Sequence, residues 1–139
     1  MAQGLFILRP SAIGDLILTL PALAALRSAF SQHRFVLVAR ADCLALLAAC
    51  GIVDETLAAD DARLASLFLP QADLSPALLL LLADTSHAAL WLRAPLAATV
   101  AENLARCGVA QVLCADPLLP PSRHAADHLL DTLAPLGIA

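Results

Sequence analysis

Lysine and tyrosine are absent from this sequence of 139 residues, and tryptophan occurs once. All eight basic residues are therefore arginines, and they are scattered along the chain without forming a basic stripe. Nucleic-acid binding needs clustered positive charge, and single-strand binding adds aromatic side chains on which bases stack. Because both features are missing, the composition excludes nucleic acid as a partner.

Long hydrophobic runs are also missing, although hydrophobic residues make up 60% of the chain. The purest apolar run, "ALLLLLA" at 77–83, is far shorter than the roughly 20 residues that a membrane-spanning helix needs. The N-terminus has no basic region of the kind that opens a signal peptide. We therefore expect a soluble, cytoplasmic protein with one domain over residues 1–139, whose apolar excess indicates a covered face.

Several ligand-binding patterns are absent as well. The sequence has no C-x-x-C pair, no G-x-G-x-x-G and no lysine-bearing phosphate loop, which argues against a standard dinucleotide or ATP site. The four cysteines lack the spacing of zinc ligands, so we expect buried, reduced thiols. His124 and His128 are four residues apart, but no third ligand accompanies them, and we interpret them as a solvated helix face. We predict neither a metal nor a cofactor.

Apolar strands and helical segments alternate along the chain, and several strands are continuous apolar runs. This pattern is typical of a parallel sheet with helices on both faces, and it predicts a doubly wound, Rossmann-like α/β domain. Pro21 lies inside the first predicted helix, where we expect a kink or a break. The predicted strands are 5–9, 34–40, 53–59, 77–84 and 110–116; the predicted helices are 14–30, 41–51, 62–69, 86–94, 98–108 and 123–137, the last preceded by a proline-rich connection at 116–122.

The turn "PSAIGD" at 10–15 carries the strongest candidate site. Ligands of open α/β sheets bind at the carboxyl ends of strands, and the small residues Ser11 and Gly14 let a ligand approach the backbone. Two roles for Asp15 are compatible with each other. The structural role is to complement the helix dipole or to cap the helix. The functional role is to act as a general base toward a substrate hydroxyl.

Other residues have alternatives that the sequence leaves open. Arg9 pairs with an acceptor phosphate, with Asp15, or with solvent, and Ser11 bonds either a ligand or its own turn. Thr19 lies one turn beyond Asp15 and either faces the cleft or bonds a backbone carbonyl. Asp84 either lines the cleft or caps the next helix, and Trp91 belongs to the core or to an interface.

The segment "LFILRPSAIGDLILTLPALAALRSAF" at 5–30 resembles the opening of the family 9 glycosyltransferases, the lipopolysaccharide heptosyltransferases. In that family the first strand leads into a Ser-x-x-Gly-Asp turn and a Thr-Leu-Pro-Ala-Leu helix, which correspond here to Ser11, Gly14, Asp15 and Thr19–Leu23. The segment "HAADHLLDTLAPLGIA" at 124–139 resembles the end of that family's N-terminal domain. Residues 55–105 match only in their rhythm of strands and helices.

The resemblance implies the N-terminal, acceptor-binding half of a GT-B glycosyltransferase, without the C-terminal domain that binds the nucleotide-sugar. It makes Asp15 the candidate catalytic base, and we take Arg9, Ser11, Gly14 and Thr19 as candidate substrate-binding residues. The implied partners are a lipopolysaccharide-core-like sugar acceptor and an ADP-sugar donor, with peripheral contact at the inner membrane and a dimer through an exposed apolar face as further expectations. The chain alone is expected to be inactive.

The sequence leaves two other interpretations open. In the first, the chain is a non-catalytic, Rossmann-like binding module or a degenerate member of the family. In the second, it is a small nucleotide- or phosphate-binding protein of flavodoxin-like topology, which tight nucleotide binding by this chain alone would favour.

Overall fold

The computed structural model describes residues 3–118, 120 and 122–138. Within them, the strands are β1 Gly4–Leu8, β2 Arg34–Ala39, β3 Glu55–Ala58, β4 Thr85–Trp91 and β5 Gln111–Ala115, and the helices are α1 Ile13–Ala29, α2 Leu44–Cys50, α3 Pro76–Leu81, α4 Leu96–Arg106 and α5 Ala125–Asp131. The five strands pair in parallel in the order β3-β2-β1-β4-β5. The predicted Rossmann-like α/β fold is therefore confirmed, with β1 at the centre of the sheet.

Both faces of the sheet are buried, because alternate side chains of each strand point to opposite sides. On one face, Leu5 and Ile7 of β1 pack with α1, α2 and α5. On the other face, Phe6 and Leu8 pack with α3, α4 and a 3-10 segment at 62–68. This two-sided burial explains why the strands are continuous apolar runs rather than alternating ones.

The prediction for residues 77–94 is wrong in both of its elements. The leucine run, predicted as a strand, forms the helix α3, and "SHAALWLRA", predicted as a helix, contains most of strand β4. Ser75 caps α3 by accepting a hydrogen bond from the backbone N–H of Leu78 at 3.2 Å, and Pro76 occupies the first helical turn. The alanines of β4 form a strand because they lie between β1 and β5, where tertiary context overrides helix propensity.

The predictions for Pro21, Trp91 and the cysteines have different outcomes. Helix α1 runs through Pro21 without a break, and Pro21 is exposed, where water can solvate the carbonyl that has lost its donor. Trp91 lies in the core, and its Nε1 donates to the hydroxyl of Thr132 at 2.8 Å. All four cysteines are free, but only Cys43 is buried, and Cys50 and Cys114 are exposed.

No helix in the ranges given above combines the length and apolar character needed to cross a membrane. In the predicted proline-rich connection, positions 119 and 121 lie outside the described residues.

Candidate functional site

A pocket of about 250 Å³ lies beside the end of β1 and the first turns of α1, at the carboxyl edge of the sheet. Its polar walls are Arg9, Asp15 and His128, and its apolar walls are Leu18, Pro117, Ala125 and Leu129. The two predicted site residues with charged side chains thus lie in one pocket. The pocket sits where open α/β sheets generally bind ligands.

Arg9 follows β1 directly and is only 5% exposed. Its Nε donates to the hydroxyl of Thr19 at 3.2 Å, and that hydroxyl donates to the backbone carbonyl of Asp15 at 2.7 Å. Burial lowers the pKa of Arg9 from its ordinary value, and the negative charge of Asp15 partly offsets this effect. The chain therefore holds a buried guanidinium in a fixed position beside Asp15.

Thr19 is completely buried, and its hydroxyl is occupied by Arg9 and by the carbonyl of Asp15. Of the two roles that the sequence leaves open, the structure therefore has the backbone-carbonyl bond. A direct contact between Thr19 and a ligand has no open path in this arrangement. Thr19 reaches the pocket through Arg9, whose guanidinium it orients.

Asp15 is the third residue of α1 and is exposed. The N-cap of α1 is Ala12, which makes no side-chain capping bond, and no described residue donates a hydrogen bond to the carboxylate of Asp15. Its position in the first helical turn places the carboxylate near the positive end of the helix dipole. The carboxylate is thus free to accept a proton or a hydrogen bond from a ligand in the pocket.

Ser11 and Gly14 lie on the turn before and at the start of α1, next to the pocket walls rather than among them. The backbone N–H of Ser11 donates to the carbonyl of Arg9 at 2.9 Å, and Ser11 is half-buried. Gly14 is exposed, and a Cβ added there would meet no atom within 4 Å. Among the described residues, no neighbouring atom requires a glycine at this position.

His128 is the pocket residue that the sequence reasoning missed, since it was assigned to a solvated helix face. The structure makes it half-buried, because Leu129 of α5 and Leu133 just after it pack in the same cluster as α1, which brings His128 to the pocket. The order of the predicted elements contained a signal for the position of His128. A helix that follows the last strand and returns to the face of α1 can reach the carboxyl edge of β1. His124, one turn earlier, is exposed, and no metal-binding group of three side chains occurs among the described residues.

Asp84 lies at the amino ends of the parallel strands, whereas Asp15 lies at their carboxyl ends. Asp84 precedes β4, so both sequence-based roles for it, lining the cleft at a strand's carboxyl end and capping a helix after it, are wrong. A cavity of about 470 Å³ at that amino edge is lined by Gln3, Asp84, Thr85 and Ser86, with Gly108 and Ala110. The error follows from the exchange of helix and strand at 77–94.

Several solved structures share this fold. A family 9 glycosyl transferase from Veillonella parvula has a TM-score of 0.66 at 19% identity, with 99% of this chain and 42% of that chain covered. The E. coli ADP-heptose lipopolysaccharide heptosyltransferase II has a TM-score of 0.66 at 14% identity, with coverages of 94% and 40%. The E. coli heptosyltransferase WaaC, solved with ADP, has a TM-score of 0.60 at 15% identity, with coverages of 99% and 48%.

This chain thus spans less than half the length of the structures that it matches. At these identities the likeness establishes the fold. No protein-family model matches the sequence, and no curated protein matches it either.

Proposed function

We propose that this chain, which shares its fold with part of the solved heptosyltransferases, is the acceptor-binding half of a heptosyltransferase-like glycosyltransferase. The observation that carries the proposal is the pocket at the end of β1, where the carboxylate of Asp15 has no donor among the described residues and stands beside the buried Arg9. In this proposal, the carboxyl ends of the strands face a cleft between this domain and a second one. The sugar acceptor binds here, and the ADP-sugar binds to a second domain.

The reaction assigned to Asp15 is removal of a proton from the acceptor hydroxyl. As the hydroxyl oxygen attacks the anomeric carbon of the donor, the bond between that carbon and the diphosphate breaks. The proton passes to the carboxylate of Asp15, and ADP leaves with the bonding electrons. This half of the site supplies the base. Stabilisation of the leaving diphosphate falls to the donor-binding domain.

The surface around the pocket agrees with a site that is completed by another domain or subunit. Ile13, Ile17 and Leu18, in the first turns of α1, are large apolar residues that are 50%, 51% and 41% exposed. Such residues beside a polar pocket are commonly covered by a partner surface. The covering partner in this proposal is the donor domain, with a second copy of the chain as the alternative.

The test is transfer of heptose from ADP-heptose to a lipopolysaccharide-core acceptor by the complete product of the gene. We expect Asp15→Asn to lower kcat by about two orders of magnitude or more, because it removes a general base. Asp84→Asn is the matched control, since it changes an exposed carboxylate at the opposite edge of the sheet. Circular dichroism should give the same folded spectrum for both variants.

Two outcomes would count against the proposal. If the parent transfers sugar and Asp15→Asn retains full activity, Asp15 only complements the helix dipole and another group is the base. If the complete gene product transfers no sugar, the non-catalytic binding module is the better description.

A further inference from the structure

The strand β5 forms one edge of the sheet, and its outer side is open. It pairs with β4 on one side only, over residues 111–115. Among the described residues, no backbone N–H or C=O of this strand forms a hydrogen bond outside the pair of β4 and β5. The side chains of Gln111 and Cys114 are exposed. The outer backbone groups of β5 can therefore bond to a further strand.

This edge lacks the features that usually protect an edge strand. An exposed edge is a template for pairing with another chain unless charge, proline, a bulge or a covering element blocks it. The segment "QVLCA" of β5 contains neither a charged residue nor a proline. Its register with β4 continues without a shift from Gln111 to Ala115, so no bulge bends the strand away. We therefore regard β5 as an unprotected edge.

The opposite edge strand, β3, is protected by charge. It has four residues, and the side chain of Glu55 forms an ion pair with Arg34 of β2. Asp60 and Asp61 follow the strand closely, and the backbone N–H of Asp61 donates to the carbonyl of Ala58 at 3.0 Å. A further strand at this edge would meet carboxylates and a backbone acceptor that is already in use. Of the two described edges, β5 is the one suited to pairing.

Apolar side chains lie beside the open edge of β5. The thiol of Cys114 is 3.9 Å from the carbonyl oxygen of Ala97, which places the first turn of α4 next to the strand. Leu96 in that turn is 40% exposed, and Leu118, shortly after the strand, is 59% exposed. Because a strand of five residues is short for an interface, contact with these side chains adds to the area that pairing buries.

We propose that β5 pairs with β5 of a second copy of this chain, antiparallel about a two-fold axis, so that the two sheets join into one. An identical strand has the matching length, and a two-fold interface uses the same surface of both copies. With Leu113 opposite its own copy, Val112 lies opposite Cys114 of the second copy in both halves of the pair. No like charges oppose each other, because the strand has no charged residue. The inference is independent of the proposed function.

The test is sedimentation velocity of the complete gene product between about 1 and 100 μM, a range that brackets a micromolar dissociation constant. We expect a reversible equilibrium between monomer and dimer. Cys114→Lys should raise the dissociation constant about tenfold or more, because a lysine on an edge strand opposes pairing and the two lysines would lie on the same face of the joined sheet. Cys50→Lys is the matched control. It makes the same change at an exposed cysteine at the end of α2 and should leave the equilibrium unchanged.

Amide hydrogen exchange locates the interface without a substitution, so the test does not depend on the folding of Cys114→Lys. The outward N–H groups of residues 111–115 should exchange more slowly as the protein concentration rises and dimers form. The inference is overturned if the gene product stays monomeric up to about 100 μM, or if it dimerises while exchange in β5 does not change. Dimers of equal affinity in folded Cys114→Lys and in the parent would also overturn it, because the interface would then lie on another surface, such as the exposed Ile13 and Ile17 of α1.

Discussion

Gly14 is the second residue of α1, where glycine costs a helix about 1 kcal/mol relative to alanine. Its backbone is not in the left-handed region, and a Cβ at this position would meet no other atom within 4 Å. The fold alone therefore gives no reason for glycine here. We propose that glycine at this position lets a ligand approach the amides at the start of α1 closely.

We predict that Gly14→Ala raises the free energy of unfolding by about 0.5–1 kcal/mol and lowers the affinity for the acceptor. The contrasting variant is Gly51→Ala. Gly51 ends α2 with a φ of 70°, where alanine is strained, so this change should lower the stability by about 1 kcal/mol. Urea denaturation of both variants, together with acceptor titration, is the measurement. An unchanged acceptor affinity in Gly14→Ala would remove Gly14 from the site.

Thr19 and His128 illustrate what sequence reasoning can and cannot reach for single residues. The helical spacing correctly places Thr19 one turn from Asp15, but its side chain turns inward and bonds Arg9. His128 appears polar and solvated in the sequence of α5, yet the packing of α5 on α1 brings it to the pocket. The partner of a side chain that is distant in sequence depends on packing, which local pattern does not contain.

The exchange of helix and strand at 77–94 is a failure at the scale of elements. A short apolar run is compatible with either state, and periodicity alone does not decide between them. The pair Ser75 and Pro76 was the available signal, because serine at the N-cap followed by proline typically opens a helix. No such local signal marks residues 85–91 as a strand. Its alanines become a strand because β1 and β5 supply hydrogen-bonding partners on both sides.

A ring cluster joins β4 to the end of α1 at the amino edge of the sheet. The ring of Phe30 packs edge-on against His33 and at a tilt against His87, with centroids 5.0 and 4.9 Å apart. The Nε2 of His33 is buried without a hydrogen-bond partner among the described residues. Burial and the neighbouring His33 lower the pKa of His87 from its ordinary 6.5, while Gln111 opposes the shift. Folding therefore favours the neutral ring of His87.

From this we predict a loss of stability in mild acid. As the pH falls through about 6.5, His87 takes up its proton in the unfolded chain before it does so in the folded chain, so the free energy of unfolding decreases. The urea midpoint should drop between about pH 7 and pH 5, and His87→Gln should reduce the drop. His124→Gln, at an exposed position, should leave it unchanged. An equal drop in His87→Gln and the parent would contradict the prediction.

At the scale of the whole molecule, we propose that this chain provides the acceptor side of a site, and its sequence contains no standard nucleotide-binding motif. It has neither a glycine-rich phosphate loop nor any lysine. The turn after β1 contains one glycine, and neither of the two pockets described above is lined by several small residues at the start of a helix. The ADP-sugar in our proposal is therefore held by another domain.

We predict that ADP shows no measurable binding to this chain in isothermal titration calorimetry, because the sequence has neither the glycine-rich loop nor the lysine that typically hold a diphosphate. The complete gene product should bind ADP if it includes the donor domain. Micromolar binding of ADP to this chain alone would instead favour the interpretation as a nucleotide-binding protein. In that case this chain would be assigned the binding of the donor, and the other domain the binding of the acceptor.

The sequence by itself determined the α/β class, most helix and strand positions, and the turn that carries Asp15 beside Arg9. These features depend on local hydrophobic pattern, turn residues and short spacing, which are present in the order of residues. The tertiary structure alone decided the strand order, the strand identity of 85–91 and the meeting of Arg9, Asp15 and His128. Each of these depends on contacts between segments far apart in the chain, where packing free energy outweighs local preference.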